Sequence, residues 1–412
     1  MTSDTWTLPE KWRWVRLRDI CEAETGVWGD DGPDGSGFPV VRSTEIRGYE
    51  IAPSSAAKRV IPTRALERYR LHTGDILVNK SSGSPHLVGW PAIFRQPDDG
   101  QTYLFSNFML RLRFEANVLP EYALYYLHNP DARRTYLGAQ DTTSGLRNLR
   151  IRDFLDQPFP LAPLDEQRRV VVRIEEFAQR IEEAKRLGVE VSTELSAFFP
   201  SHSDALLQEL DSPVRQFGEV VLDARNGFGR RPKGKEKGAI VLRLADVSSG
   251  SIDLENVRRG VMSPGELATY RVRSGDLLFI RVNGSPDYIG RCVLCTEERD
   301  DLAFNDHLIR VRVDHEKIMP AYAAVWFNSR RVRAETVARA STSAGQLTIN
   351  QKNLMSIPIR IPSLQEQSRI IDYLTLVSTR VEGLRRLRVE AQAELEAIFP
   401  SLLARAFNVG LF

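Results

Sequence analysis

One long segment occurs twice in this sequence, 200 residues apart. Residues 163–201 align with residues 363–401 without a gap, and both copies carry apolar residues at the same positions. Steps of mostly four and three between these positions are typical of an amphipathic helix with a seam close to a heptad. A segment of about 33 residues predicts a helix about 50 Å long. Such a seam must be covered, so we predict that the two helices pack on each other through Val170, Ile174, Phe177, Ile181, Ile370, Leu374, Val377, Val381 and Leu384.

The ends of the two helices carry recognisable signals. Ser363 and Glu366 form a capping-box pattern at the start of the second helix, and Pro163 takes the place of the serine in the first. Proline removes a backbone donor and clashes with the preceding turn, so Pro200 and Pro400 predict the ends of the two helices.

The repeat extends well beyond the helices. Gly74–Pro85 matches Gly275–Pro286, and Met109–Arg113 matches Leu308–Arg312. Self-similarity at a fixed period indicates a tandem repeat, here of a domain of about 160 residues followed by a long helix. The predicted parts are a first domain over 1–162, a central spacer helix over 163–210, a second domain over 211–362, and a C-terminal helix and tail over 363–412.

Each domain shows a mixture of strand and helix patterns, so we predict an α+β fold of two mixed domains separated by two long antiparallel helices. Leu402–Phe407 matches Ala205–Leu210, which leads into the second domain. The C-terminus should therefore lie near the first domain, in a pseudo-two-fold, nearly circular arrangement. The predicted strands include Phe38–Arg42, Asp75–Val78, Phe108–Phe114, Ala239–Arg243, Asp276–Ile280 and His307–Val313, and helices are predicted over 120–137 and 320–340.

Composition limits the possible functions. The chain has 412 residues, 27% of them charged, with a net charge of only +2, so a surface for nucleic acid must come from local clustering. The start of the sequence shows no secretory signal, and no apolar run is long enough to cross a membrane, so a cytoplasmic protein without a membrane partner is expected. Among three cysteines, Cys292 and Cys295 have CxxC spacing but no second pair, and no metal site is predicted.

No catalytic motif emerges from the sequence. It lacks a P-loop, a GxGxxG after a strand, HExxH and GxSxG. Asp75 and Asp276, each with a basic residue nearby, resemble parts of a nuclease, but the Gly-Asp-apolar pattern better suits a turn that enters a strand. We therefore expect no catalytic residue in this chain.

Two polar loops at matched positions are the strongest candidate binding elements. Lys80–His86 and Arg281–Tyr288 have matching flanks, but their tips differ at Lys80/Arg281, Ser82/Asn283 and His86/Asp287. We call the shared backbone of these loops the frame, and their differing side chains the tips. A common frame with different tips suits two domains that recognise different base sequences, because base edges differ in their donors and acceptors. Hairpin loops without a ligand remain the alternative.

Positive charge is concentrated in residues 225–238, which contain six basic residues and one acidic residue. This segment either reaches phosphates or is an ordinary solvated loop. Together with the loops and their neighbours, the candidate DNA contacts are Arg42, Lys80, Ser81, Ser82, Ser84, His86, Asn107, Arg147, Arg150, Arg230, Arg231, Lys233, Arg243, Arg281, Asn283, Ser285, Asp287, Tyr288, Asn305, His307 and Gln346.

The chain carries several motifs in a fixed order: Leu8–Trp12 followed by Val15–Asp19, the two Gly-Asp-Ile/Leu-Leu strand entries, Pro163–Gln167, Ser363–Gln367 and Ser401–Phe407. In the order and duplication of these motifs, the whole chain resembles the specificity subunit of a type I restriction–modification enzyme. The C-terminal Asn408–Phe412 departs from the Gly-Glu-Leu-like tail that is usual in that family.

The resemblance implies a non-catalytic protein with two target-recognition domains, each of which reads one half of a split double-stranded DNA site. It further implies that the helix pair sets the gap and binds two methyltransferase subunits, and that restriction subunits join to cleave. S-adenosylmethionine, and ATP with magnesium, would then belong to the partner subunits, with no cofactor in this chain. The alternatives are a recognition subunit of another phage-defence system, a coiled-coil adaptor without DNA specificity, and an enzyme with a hidden nuclease or methyltransferase site.

Overall fold

A computed structural model describes residues 8–32, 35–84, 86–138, 140–143, 146–229, 238–247, 250–343 and 345–408. The chain divides into two compact units. The first comprises residues 1–188 and 389–412, and the second comprises residues 189–388. Each unit contains one of the repeated domains and a part of each long helix. No helix within the described ranges is both long and apolar enough to cross a membrane.

The first unit combines short strands with short helices. The long helix α5 starts in it. The strands are β1 (Arg13–Arg16), β2 (Cys21–Thr25), β3 (Asp30–Asp31), β4 (Phe38–Val41), β5 (Ile46–Arg47), β6 (Glu50–Ile51), β7 (Lys58–Val60), β8 (Ile76–Asn79), β9 (Ser81–Ser82), β10 (Pro91–Ile93), β11 (Leu104–Phe105), β12 (Met109–Phe114), β13 (Gln140–Thr143), β14 (Leu146–Leu149) and β15 (Pro158–Leu161). The helices are α1 (Leu66–Tyr69), α2 (Pro120–His128), α3 (Pro130–Leu137), α4 (Ile151–Leu155) and α5 (Leu164–Gln208).

The second unit repeats most of this order with fewer described strands, and the long helix α10 starts in it. The strands are β16 (Val214–Gln216), β17 (Val221–Asn226), β18 (Ala239–Leu242), β19 (Arg259–Gly260), β20 (Leu277–Ile280), β21 (Val282–Asn283), β22 (Cys292–Leu294), β23 (Leu302–Phe304), β24 (Leu308–Val313), β25 (Ser341–Ser343), β26 (Gln346–Thr348) and β27 (Pro358–Arg360). The helices are α6 (Pro264–Tyr270), α7 (Pro320–Asn328), α8 (Arg330–Ala338), α9 (Gln351–Met355) and α10 (Leu364–Asn408).

The central sheets of the two units match strand for strand. The order β2-β12-β8-β10 in the first unit corresponds to β17-β24-β20-β22 in the second, and all neighbours in these runs are antiparallel. The register matches as well, with Leu112 opposite Ile76 and Val311 opposite Leu277. In the first unit β6 and β5 extend the sheet further. The predicted α+β class and the tandem repeat are confirmed.

The helices predicted over 120–137 and 320–340 are wrong in one respect, because each is two helices. In the first unit the break falls at Asn129, whose side chain accepts a hydrogen bond from the amide of Asp131 at 2.8 Å and so caps the new helix. Pro130 follows, and it has no amide hydrogen with which to continue the previous helix.

The second unit reaches the same break without a proline. Ser329 has an extended backbone, with φ −64° and ψ 146°. The amide of Arg330, which begins α8, donates to the carboxylate of Asp204 near the end of α5 at 2.7 Å. The helix break is therefore also a docking point for the end of a long helix.

The prediction that Pro200 and Pro400 end the long helices is also wrong. Each helix has 45 residues with its proline inside, so each is about 68 Å long rather than about 50 Å. An internal proline costs about 3 kcal/mol. Burial of the turns beyond it offsets that cost, since Leu207 is buried in the core of the second unit and Leu403 and Phe407 in the core of the first.

In each unit the start of one long helix lies with the end of the other. Val170 and Ile174 share the core of the first unit with the end of α10, and Ile370 and Leu374 share the core of the second with Leu207 of α5. This is the arrangement of an antiparallel pair. Much of the seam is therefore covered by the domains rather than by a long helix–helix contact alone.

The remaining predicted seam positions differ in burial. Ile181 and Val381 are buried, and Val377 is half-buried. Phe177 and Leu384 depart from the prediction, because they are 42% and 51% exposed. The guanidinium carbon of Arg180 lies 5.9 Å from the centre of the Phe177 ring and partly covers it. Leu384 lies toward the middle of α10, beyond the stretch that packs into a domain core.

A buried glutamine fixes the start of each long helix. The Oε1 atom of Gln167 accepts from the amide of Leu119 at 2.8 Å, and its Nε2 donates to the carbonyls of Asn117 and Ala162 at 2.9 and 2.8 Å. Gln367 makes the same three bonds with the amide of Met319 and the carbonyls of Lys317 and Pro362, at 2.8, 3.1 and 2.9 Å. Both glutamines are completely buried.

Replacing either glutamine with alanine should destabilise its own unit. Gln167→Ala leaves a buried amide and two buried carbonyls without their partners, and we expect a loss of about 3 kcal/mol in the free energy of unfolding. Gln208→Ala, at an exposed position on the same helix, is the control. Urea unfolding monitored by hydrogen exchange should show the loss in the first unit for Gln167→Ala and in the second for Gln367→Ala. Equal stability of Gln167→Ala and Gln208→Ala would contradict the assignment.

A buried histidine makes the first unit sensitive to acid. His128 packs edge-on against Tyr49 and Trp90, and its Nε2 lies 2.9 Å from the carbonyl oxygen of Pro91, so this nitrogen donates. Burial, and secondarily the charge of Arg133, lowers the pKa of His128 from 6.5 to about 3. The folded protein therefore holds a neutral ring at pH values where the unfolded chain is protonated.

This pKa difference predicts a loss of stability as the pH falls from about 6.5 towards 3. The unfolded state binds the extra proton in this window, so the first unit should lose about 2 kcal/mol of unfolding free energy between neutral pH and about pH 5. His128→Asn introduces the residue of the second unit, where Asn328 bonds both the amide and the carbonyl of Cys292. Urea titrations at both pH values should show a smaller loss for this variant. The same pH dependence in both proteins would refute the role of His128.

Candidate functional site

The candidate loop of the first unit is held in a small sheet beside the central one. Directly after β8 and Lys80, strand β9 pairs with β14, so that Ser81 lies opposite Asn148 and Ser82 opposite Arg147. The hydroxyl of Ser81 donates to the side-chain oxygen of Asn148 at 2.6 Å. The loop that follows the central strand and the segment that precedes α4 therefore form one surface.

The second unit builds the same frame with different side chains. Strand β21 pairs with β26, which places Val282 opposite Thr348 and Asn283 opposite Leu347, next to Gln346. The amide of Ile349 donates to the carbonyl of Arg281 at 3.0 Å. The equivalent bond in the first unit joins the amide of Leu149 to the carbonyl of Lys80 at 2.8 Å. Because these bonds use backbone atoms, the frame tolerates different residues.

The turn before the last central strand joins the same surface in both units. The amide of Lys80 donates to the carbonyl of Phe108 at 2.8 Å, and the amide of Arg281 donates to that of His307 at 2.7 Å. The Arg281 guanidinium also donates to the carbonyl of Asp306 at 2.9 Å. Asn107 and Asn305 lie in these turns, half-buried. The structure thus brings together the polar residues before β12 and β24 with the two candidate loops.

Side chains within the loops fix the shape of their tips. The amide of Ser84 donates to the hydroxyl of Ser82 at 3.1 Å, and that of Ser285 donates to the side-chain oxygen of Asn283 at 2.8 Å. The amide of Asp287 in turn donates to the hydroxyl of Ser285 at 3.2 Å. Such bonds are typical of turns stabilised by short polar side chains. Ser82 and Asn283 therefore act as turn residues. The sequence showed only that these two matched positions differ, and it did not reveal this shared structural role.

Other loop side chains project into solvent. His86, Asp287 and Tyr288 are exposed, as are Arg147 and Gln346 on the neighbouring strands. Two cationic groups are partly shielded: partial burial lowers the pKa of Lys80, and the Arg291 guanidinium lies 5.0 Å from the centre of the Tyr288 ring. The first unit thus presents Lys80, His86 and Arg147, whereas the second presents an acidic and an aromatic side chain at its tip.

Three predicted DNA contacts are engaged by carboxylates of their own unit. Arg243 binds both oxygens of buried Asp246, at 2.6 and 3.0 Å, while Arg42 lies 3.7 Å from Glu45. The equivalent residues share this role because each follows an equivalent strand, β18 or β4. Arg150 pairs with Asp153 at 3.2 Å. Contact of these arginines with DNA remains a prediction. Three further candidates, Arg230, Arg231 and Lys233, lie outside the described residues.

The Gly-Asp motif has a structural role. Asp75 is buried and receives two bonds from Arg113, at 2.7 and 2.8 Å, and one from the amide of His72. Asp276 is bound in the same way by Arg312, at 2.7 and 3.1 Å. These carboxylates therefore tie a turn to a neighbouring strand, in agreement with the predicted turn.

The CxxC pair is divided between two cores. Cys292 packs in the main core of the second unit, whereas Cys295 packs in a separate cluster on the other face of the sheet. Burial raises the pKa of both thiols, to about 11 for Cys295. Within the part of the chain that the structure describes, no group of three or more His, Cys, Asp or Glu residues is placed to hold a metal ion.

An aromatic pair next to the first loop was missed by sequence reasoning. Trp28 is 68% exposed and packs edge-on against Phe108, with ring centres 6.4 Å apart. The signal available in the sequence was a tryptophan between glycines, in Gly26-Val-Trp-Gly29. Periodicity does not detect it, because it belongs to a loop.

Comparison with known proteins agrees with this architecture. Residues 264–391 match the family model for the type I restriction modification DNA specificity domain. The chain is 25% identical to the StySPI specificity subunit of Salmonella potsdam over 384 residues, which cover 90% of this chain and 82% of that protein. It is also 25% identical to the EcoKI specificity subunit of Escherichia coli K12, over 393 residues with the same coverage.

Solved structures show the same fold. The crystal structure of the HsdS subunit from Thermoanaerobacter tengcongensis superposes with a TM-score of 0.65, covers 99% of each chain and is 21% identical. Residues 264–391 therefore match a type I restriction modification DNA specificity domain, and the chain is similar along most of its length to type I specificity subunits.

Proposed function

We propose that this chain reads a bipartite, asymmetric site in double-stranded DNA, with one half-site read by each unit. The observation that carries the proposal is the pair of matched loops, which share a backbone frame and differ in the side chains that they expose. Equivalent frames would present these side chains in equivalent positions. Different side chains would then select different bases, because each base pair presents its own donors and acceptors in the major groove.

The chemistry of the loops supports contact with DNA. Arg147 and Lys80 supply positive charge for phosphates or guanine edges, and His86 and Gln346 supply groups that donate or accept hydrogen bonds. The acidic Asp287 in the second loop suits a donor such as the amino group of cytosine. A net charge of +2 over the chain is low for a protein that binds DNA alone, so partner subunits would supply part of the phosphate neutralisation.

The long helices would set the distance between the half-sites and dock two methyltransferase subunits. Their middle parts expose apolar side chains at matched positions, Leu187 and Val189 on α5 and Leu387 and Val389 on α10. Exposed apolar residues that recur in this way are typical of interaction sites. Because the positions repeat, two equivalent partners fit better than one.

Catalysis in this proposal belongs to the partners. Methyltransferase subunits would bind S-adenosylmethionine, and restriction subunits would bind ATP with magnesium and cleave. The chain itself would contribute recognition and spacing, which is consistent with the structural roles of Asp75 and Asp276.

Exchange of the first loop should alter one half of the recognised site. We expect that replacing residues 80–86 with the loop of another specificity subunit changes the first half-site and leaves the second unchanged, because only the tips of one frame are altered. The measurement is sequencing of methylated positions after reaction with the reconstituted methyltransferase. A matched exchange of residues 97–100, an exposed turn, is the control. An unaltered target after the loop exchange would show that the loop does not read bases.

Lengthening both helices should widen the gap between the half-sites. Inserting seven helix-forming residues after Val189 and seven after Val389 adds about 10 Å to each helix, which corresponds to about three base pairs. Insertion into one helix alone is the control, since it leaves the two helices unequal and should impair modification. An unchanged gap in the doubly extended protein would exclude the helices as the spacer.

A further inference from the structure

The exposed aromatic pair of the first unit has no evident role in the core. Trp28 is 68% and Phe108 38% exposed, and their rings meet at an angle of 78°. Exposing an indole to water forgoes the favourable free energy of burying its large apolar surface. Tryptophan is enriched at binding interfaces, so this pair is a candidate contact for a ligand of the first unit.

Trp28 is displayed from a backbone that is held on both sides. A Cβ atom on Gly26 would lie 2.3 Å from the carbonyl oxygens of Phe105 and Ser106, and one on Gly29 would lie 2.9 Å from the carbonyl oxygen of Val60. These close approaches require glycine. The amide of Val27 donates to the carbonyl of Phe105 at 2.9 Å. The tryptophan therefore sits on a short segment pinned at each end.

The same hydrogen bonds connect the pair with the candidate loop. The amide of Asn107 donates to the carbonyl of Val27 at 3.1 Å, and the carbonyl of Phe108 accepts from the amide of Lys80 at 2.8 Å. Trp28, Asn107, Phe108 and Lys80 thus lie along one continuous backbone network. The indole and the loop belong to a single surface.

The second unit shows that the fold does not need this pair. Its Gly227 makes the same close approach as Gly26, since a Cβ atom there would lie 2.0 Å from the carbonyl oxygen of Asn305. Phe228 then takes the place of Val27 and pairs with Asn305 as Val27 pairs with Ser106. The positions equivalent to Trp28 and Phe108 hold Gly229 and His307. The frame is therefore formed without the two aromatic rings, so they are features of the first unit's surface and not of its core.

We propose that Trp28, supported by Phe108, makes an apolar contact with a base of the first half-site. This inference rests on the proposed function and deepens it, because it names a specificity-determining residue outside the loop. Aromatic side chains bind nucleic acid by stacking on base faces or by contact with the thymine methyl group. The second unit, with glycine and histidine at these positions, would read its half-site without such a contact.

The test uses the whole chain assembled with its methyltransferase subunits and a duplex that carries the mapped site. Trp28→Gly and Phe108→His introduce the residues that the second unit carries in the same frame, so both proteins should fold. Leu222→Ala is the control, because Leu222 is 71% exposed on β17 of the other unit. Circular dichroism and assembly with the methyltransferase check that each variant is intact.

We expect Trp28→Gly to weaken binding of the duplex about 10- to 100-fold. The variant should also discriminate less against changes in the first half-site, while discrimination at the second half-site stays the same. Phe108→His should have a smaller effect in the same direction, and Leu222→Ala should have none. Unchanged affinity and discrimination in Trp28→Gly would overturn the proposal, as would loss of methyltransferase assembly with base discrimination retained.

Modified bases then identify the contact. A loss of affinity when deoxyuridine replaces one thymine of the first half-site, in the original protein but not in Trp28→Gly, indicates the methyl group. A change in 2-aminopurine fluorescence at one position, again dependent on Trp28, indicates that this base has left its normal stack and contacts the indole. Either result supports the proposal, and failure of both contradicts it.

The outcome also separates this inference from the proposed function. If exchange of residues 80–86 changes the first half-site but Trp28→Gly has no effect, only the role of the tryptophan is refuted. If neither change affects the first half-site, the proposal that this surface reads DNA fails as a whole.

Discussion

The junction between domain and long helix depends on a buried glutamine. Gln167 and Gln367 each bond an amide and a carbonyl just before the domain's paired helices, and a second carbonyl just before the long helix itself. No other uncharged side chain of that size offers both a donor and an acceptor group at its end. Next to this junction, Tyr122 and Tyr322 donate to the carbonyls of Pro160 and Arg360, at 2.7 and 2.8 Å. A helix held in this way changes direction only if the domain moves with it. A rigid junction is what a spacer between two reading surfaces requires.

The repeat separates what is common from what is specific. Backbone hydrogen bonds, buried Asp–Arg pairs and close-packed glycines recur in both units, and they shape the surface without defining what it contacts. The side chains that differ lie at the loop tips and at the position of Trp28. Under the proposed function, this division would allow a duplicated domain to recognise a second target, because exposed residues can change at little cost to the stability of the frame. The two units therefore serve as controls for each other.

Much of the fold was predictable from the sequence, because the repeat tests each assignment twice. The strands over 76–79 and 277–280 and the amphipathic long helices follow from periodicity and from matched positions. The C-terminal ends of the long helices could not be predicted from the sequence. The burial of Leu207 and Leu403 outweighs the cost of Pro200 and Pro400, and that burial is a tertiary effect. The break at Ser329 was missed for the same reason, because the carboxylate that supports it comes from Asp204, distant in sequence.

At the candidate site, the loops were found from their mismatched tips, but the exposure of Trp28 and the engagement of Arg243 by Asp246 depend on packing that a sequence pattern does not contain.

We propose that two similar frames with different exposed side chains read two different half-sites at a fixed separation. Mapping every methylated position in DNA modified by the assembled complex tests this claim most directly. We expect a single asymmetric sequence with two specified parts, divided by a gap of constant length and unspecified composition. A continuous site, a palindromic site or a gap of variable length would contradict it.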